Sequence, residues 1–354
     1  VTSGAAITDS GVITVAGTAT FVTDVNDIDI TLNQSNAIAG ALTFTTQTGG
    51  SNGADITLNN GSTAISLAGF TTRGNLTLET ANAIALTAHT VNGNLSVTSA
   101  GAITQSAALT VSGTSSFTST GTDANITLTQ ANAFSGDVTL TTAGTAGDVS
   151  IDNNTTALGI QGTINGGLTV VNGAAITDSD TLTVTGASSF TIDTGSNHIT
   201  LGTAALTGAI GVSTTGTSNF TLDNTTTAVN LGTVGVTGAL SVTSGETITD
   251  SGVITVAGTS SFTTDVNDKD IILNQSNAMS GNITVSTAGT GGDVTIDNGT
   301  TALGIEGTVN GALILTAGAA ITDSDTLTVS GASTFNIDTG SNHITLGTAA
   351  LTGA

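Results

Sequence analysis

The sequence is an array of repeats, and a fixed repeat is the feature that most restricts how this chain can fold. Residues 173–190 read GAAITDSDTLTVTGASSF and return almost unchanged at residues 318–335. Looser copies begin near three other glycines, and the shared isoleucines are Ile7, Ile103, Ile176, Ile248 and Ile321. These isoleucines are 96, 73, 72 and 73 residues apart, close to multiples of 24. Periods of about 20 to 50 residues are typical of stacked solenoid folds.

A finer repeat divides each large one. A glycine followed by a short alternating segment recurs, as in GTSSF at Gly113 and GDVTL at Gly136. From Gly113 onward the spacings are 23, 30, 20, 22, 30, 20, 23, 30 and 20 residues, and the part before it contains roughly 19 extra residues. We therefore divide a single continuous array, residues 1–354, into super-repeats near 17–112, 113–185, 186–257 and 258–330, with a partial one at 331–354.

Alternating residues predict short β-strands. Phe190 and Ile192 flank Thr191, which is the period of two expected when one strand face is buried. Gly, Asn, Asp and Ser separate the segments, as turns require. Proline is absent, which suits uninterrupted hydrogen-bond ladders. The sequence therefore predicts an all-β protein, a three-sided parallel β-helix (β-solenoid) of about 14–15 rungs of about 24 residues.

A chain of β-hairpins is the competing topology. It is disfavoured because the units lack the regular two-residue turns that connect antiparallel strands. A parallel sheet covered on both faces is also disfavoured, since its strands would be continuous apolar runs.

The composition excludes several classes of partner. The chain has 25 Asp or Glu residues against 2 Lys or Arg residues, a formal net charge of −23 at pH 7. Nucleic acid and anionic membrane surfaces attract clustered basic residues, so we expect neither as a partner. No apolar run of about 18 residues is present, so we expect no membrane insertion in this segment.

The two ends of the chain match positions inside the repeat. Val1 begins a segment that returns at Val242, and Ala354 corresponds to Ala209. We expect the chain to be a window of a longer protein.

The segments GNLTL, GNLSV and GALSV, followed by GAITQS or GETITDS, resemble the repeats of filamentous haemagglutinin and related large bacterial surface adhesins. The resemblance covers nearly the whole chain. It implies a right-handed β-helix and an extracellular or bacterial cell-surface location. The family's secretion domain carries Asn-Pro motifs, and with no proline here the export route is not supported.

Catalysis is not expected, although some polysaccharide-acting enzymes are β-helices. A lyase needs a basic catalyst near acidic metal ligands, and the two basic residues, Arg73 and Lys269, are far apart in the chain. A glycosidase needs paired carboxyls and usually aromatic platforms, yet Tyr and Trp are absent. The histidines His89, His198 and His343 are interpreted as solvated residues on strand faces.

Two acidic clusters are the only metal candidates. They are Asp24, Asp27 and Asp29 in TDVNDID, and Asp265, Asp268 and Asp270 in TDVNDKD. Calcium takes six to eight oxygen ligands, so oxygen-rich turns of this kind are candidate sites. The spacing matches neither the EF-hand loop nor the Gly-rich nonapeptide calcium repeat, and the equivalent copy keeps only Asp123 and Asn125. Solvated turns are the favoured interpretation, and no other cofactor is expected.

Other recurring residues are interpreted as structural. Asp178, Asp180, Asp323 and Asp325 are expected at corners, and Phe117, Phe190, Phe262 and Phe335 in the core at every third rung. Asn36, Asn132 and Asn277 are expected to bond the backbone at bends.

Three functions remain open. The first is a structural and adhesive extracellular rod of a giant bacterial surface or secreted protein, in contact with a host or neighbouring-cell surface. The second is a filament subunit that joins copies of itself end to end through strand edges. The third is a polysaccharide-acting enzyme.

Overall fold

All the strand pairings described in the computed structural model are parallel. The structure describes residues 1–47 and 53–353, so Ala354, the end of the last partial super-repeat, lies outside the described residues. Contacts divide the chain into Val1–Gly173 (unit 1) and Ala174–Ala354 (unit 2). Within the described ranges the regular structure is strand alone, without helices. No helix there could therefore cross a membrane.

Unit 1 consists of short strands joined by tight turns. In chain order they are β1 (Thr2–Ser3), β2 (Ile7–Thr8), β3 (Thr14–Val15), β4 (Ala19–Asn26), β5 (Ile30–Leu32), β6 (Ala37–Ile38), β7 (Leu42–Gln47), β8 (Ile56–Asn59), β9 (Thr71–Thr72), β10 (Leu76–Thr80), β11 (Ile84–Leu86), β12 (His89–Val91), β13 (Leu95–Ser99), β14 (Ile103–Gln105), β15 (Leu109–Val111), β16 (Ser115–Thr122), β17 (Ile126–Leu128), β18 (Ala133–Phe134), β19 (Val138–Ala143), β20 (Val149–Asp152), β21 (Leu158–Ile164) and β22 (Leu168–Asn172).

The strands of unit 1 form three sides of the solenoid. The first sheet contains β2, β5, β8, β10, β13, β16, β19 and β21, and the second sheet contains β11, β14, β17, β20 and β22. Short strands β9, β12, β15 and β18 form the third side. Near its start, unit 1 has a separate sheet of β1, β4 and β7 and a pair of β3 and β6.

Unit 2 is built in the same way. Its strands are β23 (Ile176–Val184), β24 (Ser188–Ile192), β25 (Ile199–Leu201), β26 (Ala204–Leu206), β27 (Ala209–Ser213), β28 (Phe220–Asp223), β29 (Val229–Val236), β30 (Leu240–Ser244), β31 (Ile248–Asp250), β32 (Ile254–Val256), β33 (Ser260–Asn267), β34 (Ile271–Leu273), β35 (Ala278–Met279), β36 (Ile283–Ala288), β37 (Val294–Asp297), β38 (Leu303–Val309), β39 (Leu313–Ala317), β40 (Ile321–Val329), β41 (Ser333–Ile337), β42 (Ile344–Thr345) and β43 (Ala350–Leu351).

In unit 2, the short third-side strands do not always follow the same sheet along the chain. The first sheet contains β25, β28, β30, β33, β36, β38, β40 and β42, and the second contains β24, β27, β29, β31, β34, β37, β39 and β41. Strand β26 follows a first-sheet strand and stacks on the end of β23. Strand β32 instead follows a second-sheet strand and stacks on the end of β29.

The parallel β-solenoid is confirmed, but its turns are shorter and more numerous than predicted. There are about 17 turns of about 20 residues. In unit 2, Ile199, Phe220 and Leu240 are direct neighbours in successive turns of the first sheet, 21 and 20 residues apart. The right-handed winding of the chain around the solenoid axis stays a prediction.

The observed turn length of about 20 residues is close to the predicted 24. The difference arises because one super-repeat spans three and a half turns rather than three. Phe190 lies in the second sheet beside Val212, whereas Phe262 lies in the first sheet beside Val285. Three steps along the second sheet lead from β24 through β27 and β29 to β31, and half a turn more leads to β33. The four phenylalanines are therefore not one column at every third rung.

The same half turn explains the 30-residue spacing. Gly208 precedes β27 in the second sheet, and Gly238, 30 residues later, precedes β30 in the first sheet. The 30-residue interval therefore corresponds to one and a half turns of ordinary length. The additional turn expected before Gly113 is also present. In unit 1, four successive pairings of the first sheet lead from Ile7 to Leu95, compared with the three steps counted above for a later super-repeat.

The core follows the alternation. Phe117, Phe190 and Phe262 are fully buried, as predicted, together with the Ile, Leu and Val residues that point to the same side of their strands. Burial of each such side chain contributes about 1.5 to 3 kcal/mol. Phe335 is only half-buried, because β39 is the sole strand that pairs with β41 in the described part of the chain.

Four buried asparagines each bond the last residue of a short strand in the preceding turn. The Asn224 Oδ1 accepts the N–H of Leu206 at 2.8 Å, and its Nδ2 donates to the carbonyl of the same residue at 3.0 Å. Its Nδ2 also lies 3.1 Å from the carbonyls of Thr227 and Ala228. The side chain thus pairs with Leu206 as a neighbouring strand would.

The other three asparagines make the same contacts with the last residue of a short strand. They are Asn60 with Ile38, Asn153 with Phe134, and Asn298 with Met279. We call Asn60, Asn153, Asn224 and Asn298 the asparagine clamps. All four are completely buried.

Asparagines of a second type confirm the expected bends. The Oδ1 atoms of Asn36, Asn132 and Asn277 accept the N–H groups of Ile13, Leu109 and Ile254 at 2.7 to 2.9 Å. They differ from the clamps because each also bonds a side chain of the preceding turn: Asp9, Gln105 or Asp250.

Replacement of a clamp should destabilise the protein strongly. In Asn224→Ala, both backbone groups of Leu206 lose their partner in a dry interior, where each unsatisfied group costs about 1 to 3 kcal/mol. We expect a loss of about 2 to 4 kcal/mol in the free energy of unfolding, measured by urea titration with circular dichroism.

The matched control is Asn274→Ala. Asn274 is exposed, and its Oδ1 accepts a hydrogen bond from the Gln275 side chain at 2.9 Å. Its replacement should change the free energy of unfolding by less than about 0.5 kcal/mol. Equal losses in the two variants would contradict the role of the clamp.

Candidate functional site

The two predicted acidic clusters occupy equivalent turns in the two units. Asp24 is exposed in β4, and Asp27 and Asp29 follow in the turn before β5. Asp265 is likewise exposed in β33, and Asp268 and Asp270 precede β34. Asp27 and Asp268 adopt left-handed backbone conformations, with φ of 56° and 60°. Asp tolerates this conformation better than most residues because its short side chain bonds locally.

In unit 1 the carboxylates of this turn accept backbone hydrogen bonds from the next turn. The N–H of Gly53 donates to Asp27 at 2.9 Å, and the N–H of Asp55 donates to Asp29 at 2.9 Å. The pattern continues upward, since the N–H of Asn75 donates to Asp55 at 2.7 Å. The side chains therefore extend the hydrogen-bond ladder around the corner.

The corresponding turn of unit 2 uses its carboxylates in the same way. Asp268 accepts the N–H groups of Thr290 and Gly291 at 2.9 and 2.7 Å. Asp270 accepts the N–H of Asp293 at 2.9 Å. Between them, Lys269 forms an ion pair of 2.5 Å with Glu246 of the preceding turn. The lysine is thus engaged by a carboxylate outside the predicted cluster.

Backbone donors also keep the related corner carboxylates ionised. Hydrogen bonds from the N–H groups of Thr145 and Ala146 lower the pKa of Asp123. Those from Gly347 and Thr348 lower the pKa of Asp323. Asp178 accepts the same pair of bonds from the next turn. It lies within β23, between the part that pairs with β25 and the part that pairs with β26. Asp180 and Asp325 accept instead from the residue that follows each of them.

No group of three His, Asp or Glu residues with the arrangement of metal ligands occurs within residues 1–47 and 53–353. The six aspartates of the two clusters remain candidate calcium ligands as a prediction. What the structure adds is that Asp27, Asp29, Asp268 and Asp270 hold the backbone of the following turn.

The interpretation of the histidines was wrong for His89. His198 and His343 are exposed, and the Nδ1 of His198 accepts the N–H of Asn219 at 3.0 Å. His89 points into the core and is only 3% exposed. Its place in the third-side column beside Leu109 turns it inward, which the solvated interpretation did not anticipate.

Two surface grooves are lined mainly by small residues. The groove of about 440 Å³ in unit 1 is lined by small residues such as Gly69, Ala88 and Thr90, together with Phe70 and His89. A groove of about 270 Å³ in unit 2 is lined by Thr214, Thr237 and neighbouring small residues. Neither lining includes a carboxylate.

The matches to a known family recur along the chain with the super-repeat. Residues 1–45, 73–141, 146–213, 217–286 and 291–354 match the family described as Repeats of unknown function (DUF5649). The chain belongs to this repeat family. From residue 73 onward the matches begin 73, 71 and 74 residues apart, one for each three and a half turns. The chain matches no curated protein and no solved structure.

The asparagine clamps are the structural residues that the sequence interpretation missed, although a signal was present. Each clamp ends a strand-like segment, namely ITLNN, VSIDN, FTLDN or VTIDN, and a Thr-Ala pair follows three residues later. Four occurrences of one short pattern indicated a common role. They could not indicate which residue of the previous turn each amide pairs with.

The corner role of Asp268 predicts different effects for two substitutions. Asp268→Ala removes the acceptor of two N–H groups and places Ala in a left-handed conformation, with an expected loss of about 2 kcal/mol. Asp268→Asn retains an acceptor and a residue that tolerates this conformation. It should be nearly neutral in urea unfolding, and equal losses would contradict the role.

The same role predicts that calcium has little effect on stability. Thermal unfolding with about 10 mM calcium, above the millimolar range of weak extracellular sites, should match unfolding in the same concentration of magnesium. A rise in melting temperature specific to calcium, abolished by Asp27→Ala with Asp29→Ala, would establish a calcium site in unit 1 instead.

Proposed function

We propose that the chain is a structural and adhesive segment of a large extracellular bacterial protein, and that it displays repeated surfaces without catalysing a reaction. The observation that supports this most directly is the in-register stacking of turns in each unit. Stacking repeats every outward side chain at a short, regular interval, so one weak contact can be made many times.

The outward rows of the first sheet support a role in contact. In unit 1, Ser96, Ser116 and Thr139 stack in one row, and Thr98, Thr118 and Thr141 stack in the next. In unit 2 the equivalent rows are Ser241, Ser261, Thr284 and Thr243, Thr263, Ser286. Hydroxyl groups both donate and accept hydrogen bonds, which suits a polymeric polar partner such as cell-surface carbohydrate.

Charge and resemblance support an extracellular role. With 25 acidic and 2 basic residues, neighbouring copies repel one another and stay dispersed. The resemblance to filamentous haemagglutinin repeats favours an adhesin of the bacterial surface, with a host or neighbouring-cell surface as its partner.

Bead binding tests the proposal. Beads coated with the folded chain should bind host epithelial cells or neighbouring bacteria several-fold more than beads coated with the urea-unfolded chain. Binding should fall when Ser116→Lys and Thr139→Lys are combined, since long charged side chains cover the hydroxyl rows without entering the core. Equal binding of folded and unfolded chains would overturn the adhesive role.

Two further measurements address location and self-assembly. Antibody labelling of intact producing cells should detect the chain, and a signal that appears only after lysis would overturn the extracellular location. Sedimentation velocity should give one species at all concentrations. Growth with concentration would favour the filament of copies joined end to end.

A further inference from the structure

One turn of unit 1 contains a buried imidazole in a position that aliphatic side chains fill in the next turn and in the equivalent turn of unit 2. His89 opens β12 and pairs with Leu109, which is completely buried. The equivalent residue 145 positions later is Val234, which is 1% exposed and pairs with Ile254. The column therefore needs no polar group for folding.

The hydrogen bonds around His89 determine which nitrogen bears the proton. The hydroxyl of Thr87 donates to the carbonyl of Leu67 at 3.1 Å, so its oxygen can only accept from the imidazole Nε2, 3.3 Å away. Nε2 is then protonated and Nδ1 is not. Nδ1 is buried, and within the described residues it has no hydrogen-bond partner. A second proton on the ring would be a buried donor without an acceptor.

Among the described strands around His89, no opposite charge is placed to compensate an imidazolium. Strands β9 and β15, which pair with β12, carry no ionisable side chain, and neither does β11 before it. Arg73, directly after β9, has the wrong sign, and Glu79 of β10 is exposed on the outward side. Burial alone lowers the pKa of His89 to about 4.

The surrounding turn is weakly tied. Between Asn59 and Thr71 the described chain forms one isolated bridge, Leu42 to Leu67, and no strand. The bonds that hold β12 to this turn include those from Thr90 to Phe70 at 3.1 Å and from Asn92 to Thr72 at 2.9 Å, beside a pairing of two residues with β9. On its other side β12 pairs with β15 over three residues. Release of β9 and β12 therefore breaks only short pairings, and regions with few such bonds open most readily.

Opening would expose an aromatic column. Ring centroids are 4.8 Å apart for His89 and Phe70, 6.0 Å for Phe70 and Phe44, and 5.7 Å for Phe44 and Phe21. Phe70 is already half-exposed beside the surface groove, whereas Phe44 and Phe21 are buried.

We propose that this turn is an acid-sensitive opening device, in which protonation of His89 releases β9 and β12 and exposes Phe70 and Phe44. The closed state binds the second proton less readily than the open state. The closed state is therefore fully favoured above the ordinary histidine pKa of 6.5, and it loses stability as the pH falls toward about 4.

Hydrogen–deuterium exchange at pH 7 and pH 5, expressed as protection factors corrected for intrinsic exchange, tests this device in the whole chain. Within residues 60–92, the protection of β9 and β12 should fall about 20-fold at pH 5, as expected for a pKa of about 4 closed and 6.5 open. Residues 229–256 of unit 2, with Val234 in place of histidine, should show no comparable fall.

Three variants complete the test. His89→Val, which reproduces the residue of unit 2, and His89→Leu should both abolish the pH dependence in residues 60–92. His343→Asn, at an exposed histidine, should leave it unchanged. The device is overturned if wild-type protection is the same at both pH values, or if it falls equally in the His89 variants.

Discussion

The backbone hydrogen-bond ladder from each turn to the next is the interaction on which this protein depends. All described pairings are parallel, and neighbours in the first sheet of unit 2 are 18 to 23 residues apart. Such a ladder needs every N–H group, which is consistent with a chain of 354 residues without proline. It also converts a sequence repeat into columns of similar side chains about 4.8 Å apart.

Polar side chains that are buried between stacked turns need hydrogen-bond partners. In this chain the backbone supplies them. The clamp residue Asn224 is buried, yet its amide is satisfied by both backbone groups of Leu206. At the corners, Asp268 and Asp270 accept N–H groups of the following turn. An acidic composition is thus compatible with a tightly stacked fold, and outward rows of the first sheet consist of Ser and Thr over several turns.

The half turn in each super-repeat shows how nearly identical segments acquire different neighbours. Phe190 and Phe262 occupy the same place in the motif but lie in different sheets. Copies 145 residues apart are more closely equivalent, and that pairing exposes the unusual position of His89 against Val234. A proposed display segment with one acid-sensitive turn would keep its other turns closed while this one opens.

The sequence by itself determined the strand content, the inward and outward residues, and the expectation of stacked parallel turns, because alternation and period are local properties. Phe117 and Asn132 could be placed correctly for that reason. The turn length, the sheet to which each copy belongs, the partners of the clamps and the burial of His89 were decided only by the tertiary structure. These depend on which residues lie side by side after about 20 intervening positions, and small differences in turn length accumulate until the motif has moved by half a turn.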